Sequence, residues 1–448
     1  MSVPTPARRA AYETLRRVFE EDAWADRALR SAATRLGLAG RERAQAQSLA
    51  YGAVQRRGST DHFIGELTGR STGRLDAPVL AALRLGLYEL LFAARAHGAD
   101  HAAVDQSVEL AKGPGGRRRG SGLVNAVLRR AARERESLLA GLADADPASA
   151  AIAHSVPLWL AELWWHELGP DAARSILGAI NVPPERGYRA NRLAGSRDEA
   201  LSVLAEAGVR ARPCDPESAP CPAAVLIVDG GEWERVEKAV AGGMILPQSR
   251  GSATVVEVLT PEPGERVLDL CAGPGIKATQ IAAALGGGEG LVCVERDAGR
   301  AAELEELLAR SGARGAEVHR SEAAAPLPGT GFDAVLVDPP CSGLGTLASR
   351  PDARWRHCPE DVVDMATLAE RILARAFEAV RPGGRVVYST CTLSSRENEA
   401  VVAGAPAASF DDLGDRYPTL RSPADGRCLQ TRQDRDRTDG FFIASMRA

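Results

Sequence analysis

Two cysteines stand where a thiol could act as a nucleophile. Cys341 lies in the run DPPCSG, which begins at Asp338, and Cys391 lies in the run STCT, each directly after an apolar stretch. A thiolate can attack carbon 6 of a pyrimidine, which makes carbon 5 nucleophilic enough to take a methyl group from a sulfonium. Carbon 5 must then lose its proton before the cysteine can leave, and this step needs a nearby base. Two thiols and the Asp338 carboxylate suit this sequence of steps.

The other six cysteines fit structural roles. None stands in a CxxC spacing, so the sequence predicts neither a metal site nor a disulfide framework, and all the thiols are expected to be free. Cys271 lies in a turn in which its backbone matters more than its sulfur. The remainder are interpreted as small buried hydrophobes, and they are Cys214, Cys221, Cys293, Cys358 and Cys428.

Two rival functions share these residues. Asp338 beside two prolines also fits an amino-nitrogen methyltransferase, in which an acidic-Pro-Pro-aromatic run holds an exocyclic nitrogen. Cys341 replaces that aromatic here and, with Cys391, favours methylation of carbon. A non-catalytic RNA-binding factor with a relic methyltransferase domain is the other alternative, and retention of all three residues argues against it.

A glycine-rich turn precedes these residues in the chain. The run CAGPGIK, residues 271–277, follows one apolar stretch and leads into a helix predicted to start near Ala278. Gly273 and Gly275 allow a tight turn and close approach of a ligand. Glu295 ends the next apolar stretch, where an acid can bond a ribose hydroxyl pair. Pro274 removes an amide that a pyrophosphate would use, so the turn favours a nucleoside cofactor without phosphates.

The elements that must position these groups belong to a doubly wound sheet. Beyond Pro261, apolar runs alternate with helical segments, which predicts a Rossmann-like α/β domain. The predicted strands are 266–270, 290–295, 316–319, 334–338, 385–390 and 441–446. Ligands bind at the carboxyl ends of strands in such sheets. The glycine turn and both cysteines fall at those ends.

The rest of the chain has a different pattern. Apolar positions recur at helical spacing through residues 1–145, as in the stripe from Leu80 to Leu91, which predicts an all-α domain. Residues 146–260 carry mixed signals and are predicted to form a connector and a small α+β RNA-binding module. The Rossmann-like domain then takes residues 261–448.

Charge is distributed unevenly along the 448 residues. Residues 1–140 carry 23 Lys and Arg against 15 Asp and Glu, a net +8, whereas the whole chain has a net charge of −4. This asymmetry, with the basic loop 113–122, points to RNA contacting the front half. The sequence has neither an apolar run of about 20 residues nor a signal-peptide core. We therefore expect a cytoplasmic protein that does not bind a membrane.

Taken together, the motifs resemble a known family. VLDLCAGPGIK, LVDPPCSGLGTLASRPDARWR, YSTCTLSSRENE and DGFFIASM are similar to those of the Sun-type (RsmB-like) bacterial rRNA cytosine-C5 methyltransferases. ALRLGLYELLF and GLVNAVLRR in the front half resemble a NusB-like RNA-binding domain. The resemblance covers nearly the whole chain and is weakest across about 145–260.

The resemblance implies specific roles. Cys391 would be the nucleophile, Cys341 would assist release of the product, and Asp338 would touch both the cofactor region and the target cytosine. Lys277 would line the same pocket, and Glu322 would lie near the adenine of S-adenosyl-L-methionine. The implied cofactor-binding residues are Cys271, Ala272, Gly273, Pro274, Gly275, Ile276, Lys277, Glu295, Glu322 and Asp338.

Three positions depart from the family pattern. The family turn reads PGGK, and Ile276 replaces its second glycine here. Glu295 and Glu322 stand where the family has Asp, and each adds a methylene that affects cofactor affinity. The implied substrate is a cytosine in 16S small-subunit rRNA, unstacked so that a thiol can reach its ring. The protein is expected to act as a monomer.

Overall fold

The chain divides into two compact units. The computed structural model describes residues 3–93, 99–112, 120–214, 225–230 and 233–448. One unit comprises Met1–Asn181 with Arg350–Arg356, and the other comprises Val182–Ser349 with His357–Ala448. None of the helices in the described ranges is long and apolar enough to cross a membrane. Most of the predicted basic loop lies outside these ranges, as does Cys221.

The first unit is built from helices, as predicted for the front of the chain. They are α1 (Pro6–Glu20), α2 (Ala25–Arg35), α3 (Gly40–Gln55), α4 (Arg57–Thr68), α5 (Ala77–Leu91), α6 (Ala99–Lys112), α7 (Ser121–Arg133), α8 (Arg135–Ala140), α9 (Pro147–His154), α10 (Leu158–Leu168) and α11 (Pro170–Ala179). Helix α5 lies in the core, since Leu83, Leu87 and Leu90 of its leucine stripe are all at 0% exposure and Leu80 is partly buried.

A short segment from much later in the chain completes this helical unit. Arg354 is fully buried, and its guanidinium donates to the carbonyls of Ser155 and Ile180, both at 3.2 Å. The neighbouring Trp355 indole donates to the Val54 carbonyl at 2.9 Å. Residues 350–356 therefore act as a hook that satisfies backbone groups of the helical unit.

The second unit begins with a small antiparallel sheet. Its elements are β1 (Gly187–Ala190), α12 (Arg197–Glu206), β2 (Arg210–Pro213), β3 (Val225–Gly230), α13 (Trp233–Ala241) and β4 (Ile245–Pro247). The strand order is β2-β3-β1-β4. The three-part division of the chain at 145 and 260 stays a prediction.

The larger sheet of the second unit carries the predicted site. Its elements are α14 (Arg250–Leu259), β5 (Val267–Asp269), α15 (Ile276–Leu285), β6 (Leu291–Val294), α16 (Ala298–Arg310), β7 (Glu317–His319), β8 (Phe332–Val337), α17 (Pro359–Ala379), β9 (Val380–Thr390), α18 (Glu399–Ala403), β10 (Ser409–Phe410), α19 (Leu413–Arg416), β11 (Leu429–Gln430), α20 (Gln433–Asp436) and β12 (Phe442–Arg447). The order is β10-β12-β9-β8-β5-β6-β7, with β11 on β12. Strands β5 to β9 are parallel, which confirms the Rossmann-like fold.

The last strand of this sheet runs in the opposite direction to its neighbour β9. Strand β12 pairs with β9 in the antiparallel direction, with Phe442 opposite Thr390. A parallel strand needs a long crossover, usually a helix laid across the sheet. The described chain between β9 and β12 contains only short helices of five residues or fewer. It therefore returns beside β9 in the opposite direction.

Candidate active site

The glycine turn lies between β5 and α15. Gly275 is the residue before the helix and has a φ of 111°, a conformation that favours glycine. A Cβ on Gly273 would lie 2.9 Å from the carboxyl carbon of Glu295, which is closer than a Cβ atom normally comes to another heavy atom. Helix α15 begins at Ile276, two residues earlier than predicted. The turn therefore leaves a bare backbone surface directly beside a carboxylate.

Glu295 is held in this place by groups on the following helix. It is only 6% exposed, and its Oε1 accepts from the Asp297 amide at 2.9 Å. Its Oε2 lies 3.4 Å from Nε of Arg300, whose guanidinium also donates to the Gly273 carbonyl. Glu322 differs, because it is exposed and its described ion pair is with Arg296 at 3.9 Å. The structure thus brings Glu295 to the turn and leaves Glu322 at the surface.

Asp269 is a site residue that sequence reasoning missed. It ends β5 and is 1% exposed, and apart from a weak contact with the Cys271 backbone N–H its carboxylate oxygens have no hydrogen-bond partner among the described residues. Burial and the nearby Asp338 carboxylate raise the pKa of Asp269 to about 7. A charged residue inside an otherwise apolar central strand was the signal available in the sequence. An unpaired buried carboxylate fits a ligand that carries positive charge.

Asp338 joins the cofactor turn to the strand that bears Cys391. Its Oδ2 accepts from Lys277 Nζ at 2.6 Å, and its Oδ1 accepts from Ser389 Oγ at 2.9 Å. Burial lowers the pKa of Lys277, but the Asp338 carboxylate outweighs burial and the net pKa is raised. Lys277 is therefore a cation at neutral pH. Ser389, a polar residue at the end of β9, was also missed by sequence reasoning.

The two predicted thiols lie in contact. Strands β8 and β9 are adjacent and parallel, and they bring Cys341 Sγ to 3.3 Å from Cys391 Sγ. Both side chains are partly accessible, and both are free thiols. The structure thus places both cysteines at the same edge of the sheet, as the strand pattern predicts.

The environment of Cys341 favours its protonated form. The hydrogen bond with Cys391 is the largest cause of a strongly raised pKa at Cys341, followed by burial. The carboxylates of Glu397 and Asp338 raise this pKa further. At neutral pH, Cys341 is therefore the thiol of the pair that keeps its proton.

The remaining cysteines follow the predictions unevenly. Cys293 and Cys428 are buried free thiols, as expected, and burial raises the pKa of Cys271 well above its usual value. Cys358 is exposed, so its interpretation as a buried hydrophobe is wrong: it precedes α17 and caps that helix. Cys214 is buried and disulfide-bonded, so the expectation of a free thiol is wrong there.

The described part of the chain contains no group of three or more His, Cys, Asp or Glu residues that could hold a metal ion. The ionisable groups described at the site are thiols, carboxylates and the Lys277 ammonium group. A nucleoside with cationic groups fits the bare turn and the unpaired Asp269 carboxylate.

Family profiles match three parts of the chain. The profile described as 16S rRNA methyltransferase RsmB/F matches residues 256–447. The NusB family profile matches residues 5–133, and a profile for the ferredoxin-like domain of RsmF/B-like methyltransferases matches residues 156–229.

Relatives match almost the full length. A Mycobacterium tuberculosis protein named as a methyltransferase is 36% identical over 460 residues, which cover 99% of this chain and 96% of the relative. Ribosomal RNA small subunit methyltransferase B of Klebsiella pneumoniae is 31% identical over 422 residues, which cover 91% of this chain and 90% of that protein.

Solved structures share the fold. PH0851 superposes with a TM-score of 0.80 at 24% identity, over 100% of both chains. NSun6 from Pyrococcus horikoshii gives a TM-score of 0.56 at 21% identity, over 65% of this chain and 98% of its own. With these matches, the chain belongs to the RsmB/F family of ribosomal RNA methyltransferases, which use S-adenosylmethionine as the methyl donor.

Proposed function

We propose that this protein methylates carbon 5 of a cytosine in 16S ribosomal RNA through a covalent bond from Cys391 to carbon 6. The contact between Cys341 and Cys391, with Sγ atoms 3.3 Å apart beside Asp338, carries this proposal. An amino-nitrogen methyltransferase has no use for a pair of thiols at this edge. Cytosine C5 chemistry needs one sulfur to add and a second group to assist its departure.

Cys391 acts first, as the nucleophile. Its thiolate adds to carbon 6, and the electron pair of the C5–C6 double bond moves toward carbon 5 and the ring. Because Cys341 retains its proton, its S–H can donate to the Cys391 sulfur and stabilise a thiolate there. The Lys277 ammonium stabilises the negative charge on the ring, and Asp338 binds the ring nitrogen or amino group of the cytosine.

The turn 271–277, Glu295 and Asp338 would hold the cofactor, and the exposed Glu322 would lie toward its adenine. S-adenosylmethionine supplies an electrophilic methyl group when it is bound. Asp269, Glu295 and Asp338 form an acidic surrounding that suits its positive charge. Gly273 and Gly275 have no side chains, so they leave the backbone surface of the turn open for the cofactor.

Cys341 acts last, as the base. Once Cys391 is bonded to carbon 6 as a thioether, its sulfur carries no charge, so the largest cause that raises the Cys341 pKa is removed. Cys341 then loses its proton to water and takes the proton from carbon 5. The C6–S bond breaks, the C5–C6 double bond re-forms, and Cys391 leaves as the thiolate with which the cycle began.

The helical front half binds the RNA. Its net charge of +8 over residues 1–140 opposes the acidic remainder of the chain, and the NusB profile match falls on the same residues. The Klebsiella relative is named for small-subunit ribosomal RNA. A cytosine in that RNA must leave its stack to meet Cys391.

The test is the fate of the covalent bond. Cys341→Ala enzyme, incubated with S-adenosylmethionine and 16S rRNA, should accumulate an enzyme–RNA adduct that survives denaturing electrophoresis. Cys391→Ala should give neither adduct nor product, with a loss of activity of about 1000-fold or more. Bisulfite sequencing of the RNA then locates the methylated cytosine.

Cys358→Ala is the matched control, because that thiol is exposed and caps α17. It should methylate RNA at the wild-type rate and trap no adduct. Methylated RNA without an adduct in the Cys341→Ala enzyme would favour the amino-nitrogen alternative. Absence of S-adenosylmethionine binding in calorimetry would favour a non-catalytic RNA-binding factor.

A further inference from the structure

A buried carboxylate connects the loops that follow the two thiols. Glu397 is 1% exposed, and its Oε1 accepts from the backbone N–H of Ser342, the residue after Cys341, at 2.7 Å. Its Oε2 accepts from Ser342 Oγ at 2.5 Å. Both oxygens therefore hold the Cys341 loop, and charge-assisted bonds of this kind are about twice as strong as neutral ones.

The same cluster holds the loop of the other thiol. Ser342 Oγ lies 2.8 Å from Thr392 Oγ1, the residue after Cys391. Asn398, adjacent to Glu397, donates from Nδ2 to the Thr392 carbonyl at 3.1 Å. All of these side chains are buried, so the bonds are shielded from water. The two cysteine loops are 50 residues apart in sequence and meet through this cluster.

The cluster is fixed in turn to the central sheet. Thr390 Oγ1 donates to Asn398 Oδ1 at 2.5 Å, and the Tyr388 hydroxyl donates to the Glu397 carbonyl at 2.6 Å. Both donors belong to β9, the strand that ends at Thr390, directly before Cys391. Glu397 is thus connected to the sheet through its backbone and to the Cys341 loop through its carboxylate.

We propose that Glu397 is the positioning residue that sets the separation of the two thiols and so controls release of the methylated product. Glu397 acts through Ser342 and does not touch the reacting atoms. Its carboxylate bonds to Ser342 hold the Cys341 loop directly, whereas the contacts with the Cys391 loop described above pass through Ser342 and Asn398. Loss of the carboxylate therefore affects the step that uses Cys341 more than the attack by Cys391.

The charge of Glu397 has a separate effect, on the pH at which Cys341 can act. The groups that act on Cys341 are Cys391, Glu397 and Asp338, and each of them raises the pKa of Cys341. Tyr388 and Lys277 lie in the same surroundings. Removing the Glu397 charge lowers the pKa of Cys341 and shifts the pH dependence of product release toward lower pH. A purely structural role for Glu397 predicts no such shift.

The inference rests on the proposed covalent function, and its test separates the two. Glu397→Gln keeps the size of the side chain and removes its charge. We expect methyl transfer in a single turnover within about threefold of wild type and release of the adduct slowed about tenfold or more. Adduct should accumulate on denaturing gels, with S-adenosylmethionine affinity unchanged in calorimetry.

Glu265→Gln is the control, because Glu265 is a partly buried carboxylate that pairs with Arg385 ahead of β5, at the opposite end of that strand. It should release product at the wild-type rate. Ser342→Ala provides a second route if Glu397→Gln fails to fold, since it removes the hydroxyl that joins the loops and retains the charge. We expect slower release in Ser342→Ala without the shift in pH dependence.

The trapping and release measurements separate the role of Glu397 from the proposed covalent function. Adduct trapped by Cys341→Ala, together with wild-type release in Glu397→Gln, overturns the role of Glu397 and leaves the proposed function intact. If Glu397→Gln does not fold, wild-type release in Ser342→Ala overturns it. If Cys341→Ala traps no adduct, the covalent function itself is wrong, and the inference is overturned with it.

Discussion

The Arg189 guanidinium donates from Nη2 to Thr279 Oγ1 at 2.8 Å, and this bond ties the small antiparallel sheet to the helix that follows the cofactor turn. Arg189 belongs to β1 and is 1% exposed, and its Nε also donates to Gln248 at 2.7 Å. Thr279 donates to the carbonyl of Ile276 in the first turn of α15. Burial lowers the pKa of Arg189 to about 10, so the guanidinium stays charged at neutral pH.

Replacing Arg189 should therefore loosen the cofactor turn. Arg189→Met leaves Thr279 and Gln248 without their partner, and we expect a loss of about 3 kcal/mol in the free energy of unfolding. Affinity for S-adenosylmethionine should fall about tenfold in calorimetry. Thr279→Val removes the bonds to Arg189 and to the Ile276 carbonyl and should cost about 2 kcal/mol. Unchanged affinity in Arg189→Met would show that α15 keeps its place without this contact.

The glycine at position 273 should be required for cofactor binding and not for folding. Gly273→Ala places a methyl group against the Glu295 carboxylate, which must move away. We expect S-adenosylmethionine affinity to drop about tenfold, with a change in unfolding free energy of about 1 kcal/mol. Gly287→Ala is the control, because a Cβ there meets no atom within 4 Å. Equal affinities of the two variants for S-adenosylmethionine would contradict a role for Gly273 in cofactor binding.

Asp269 should make stability depend on pH. Its pKa is about 7 in the folded chain and about 3.8 ordinarily, so the carboxyl is neutral in the folded state and charged in the unfolded state between these values. Its contribution to stability is present below about pH 4 and is lost as the pH rises through about 7, a change of about 4 kcal/mol. Asp269→Asn has no such titration.

The check on Asp269 is a series of urea unfolding curves of both proteins at several pH values. The wild-type unfolding free energy, minus that of Asp269→Asn, should decrease steadily from about pH 4 to about pH 7. Saturating S-adenosylmethionine should reduce the slope, because its positive charge favours the ionised carboxylate. A constant difference across this range would mean that Asp269 is ionised throughout.

Product release should speed up with pH in the wild-type enzyme. In the adduct, Glu397 and Asp338 still raise the pKa of Cys341, and Cys341 must lose its proton before it accepts one from carbon 5. Below that pKa, release should rise up to about tenfold per pH unit, and the fraction of trapped adduct should fall accordingly. Quenched denaturing gels at a series of pH values measure both. A rate of product release that does not depend on pH would show that Cys341 is not the base.

Much of the catalytic edge could be predicted because its signals are local in sequence. The apolar runs place β5, β8 and β9, and a turn or a cysteine follows each at the carboxyl end. Since β8 and β9 are neighbours, the contact between Cys341 and Cys391 follows from strand order. The start of α15 at Ile276 was missed by two residues, because a helix can begin inside a turn motif whose glycine precedes it.

Other parts of the site depend on contacts between distant segments. Asp269 sits in a strand whose pattern indicates core, and its importance comes from Asp338 and Lys277 on other elements. Glu397 meets Ser342 across 55 residues, and Arg354 meets Ser155 across 199. Periodicity records only which face of an element is apolar. It contains no information about which distant backbone groups a buried charge will satisfy.

The hook at residues 350–356 limits how the gene can be divided. A fragment that stops at residue 181 lacks Arg354 and leaves the carbonyls of Ser155 and Ile180 buried without their donor. Recombination that exchanges the amino-terminal half for that of another lineage must carry a matching heptapeptide inside the catalytic half. The two halves are therefore constrained to diverge together, although most of their residues are separate in the chain.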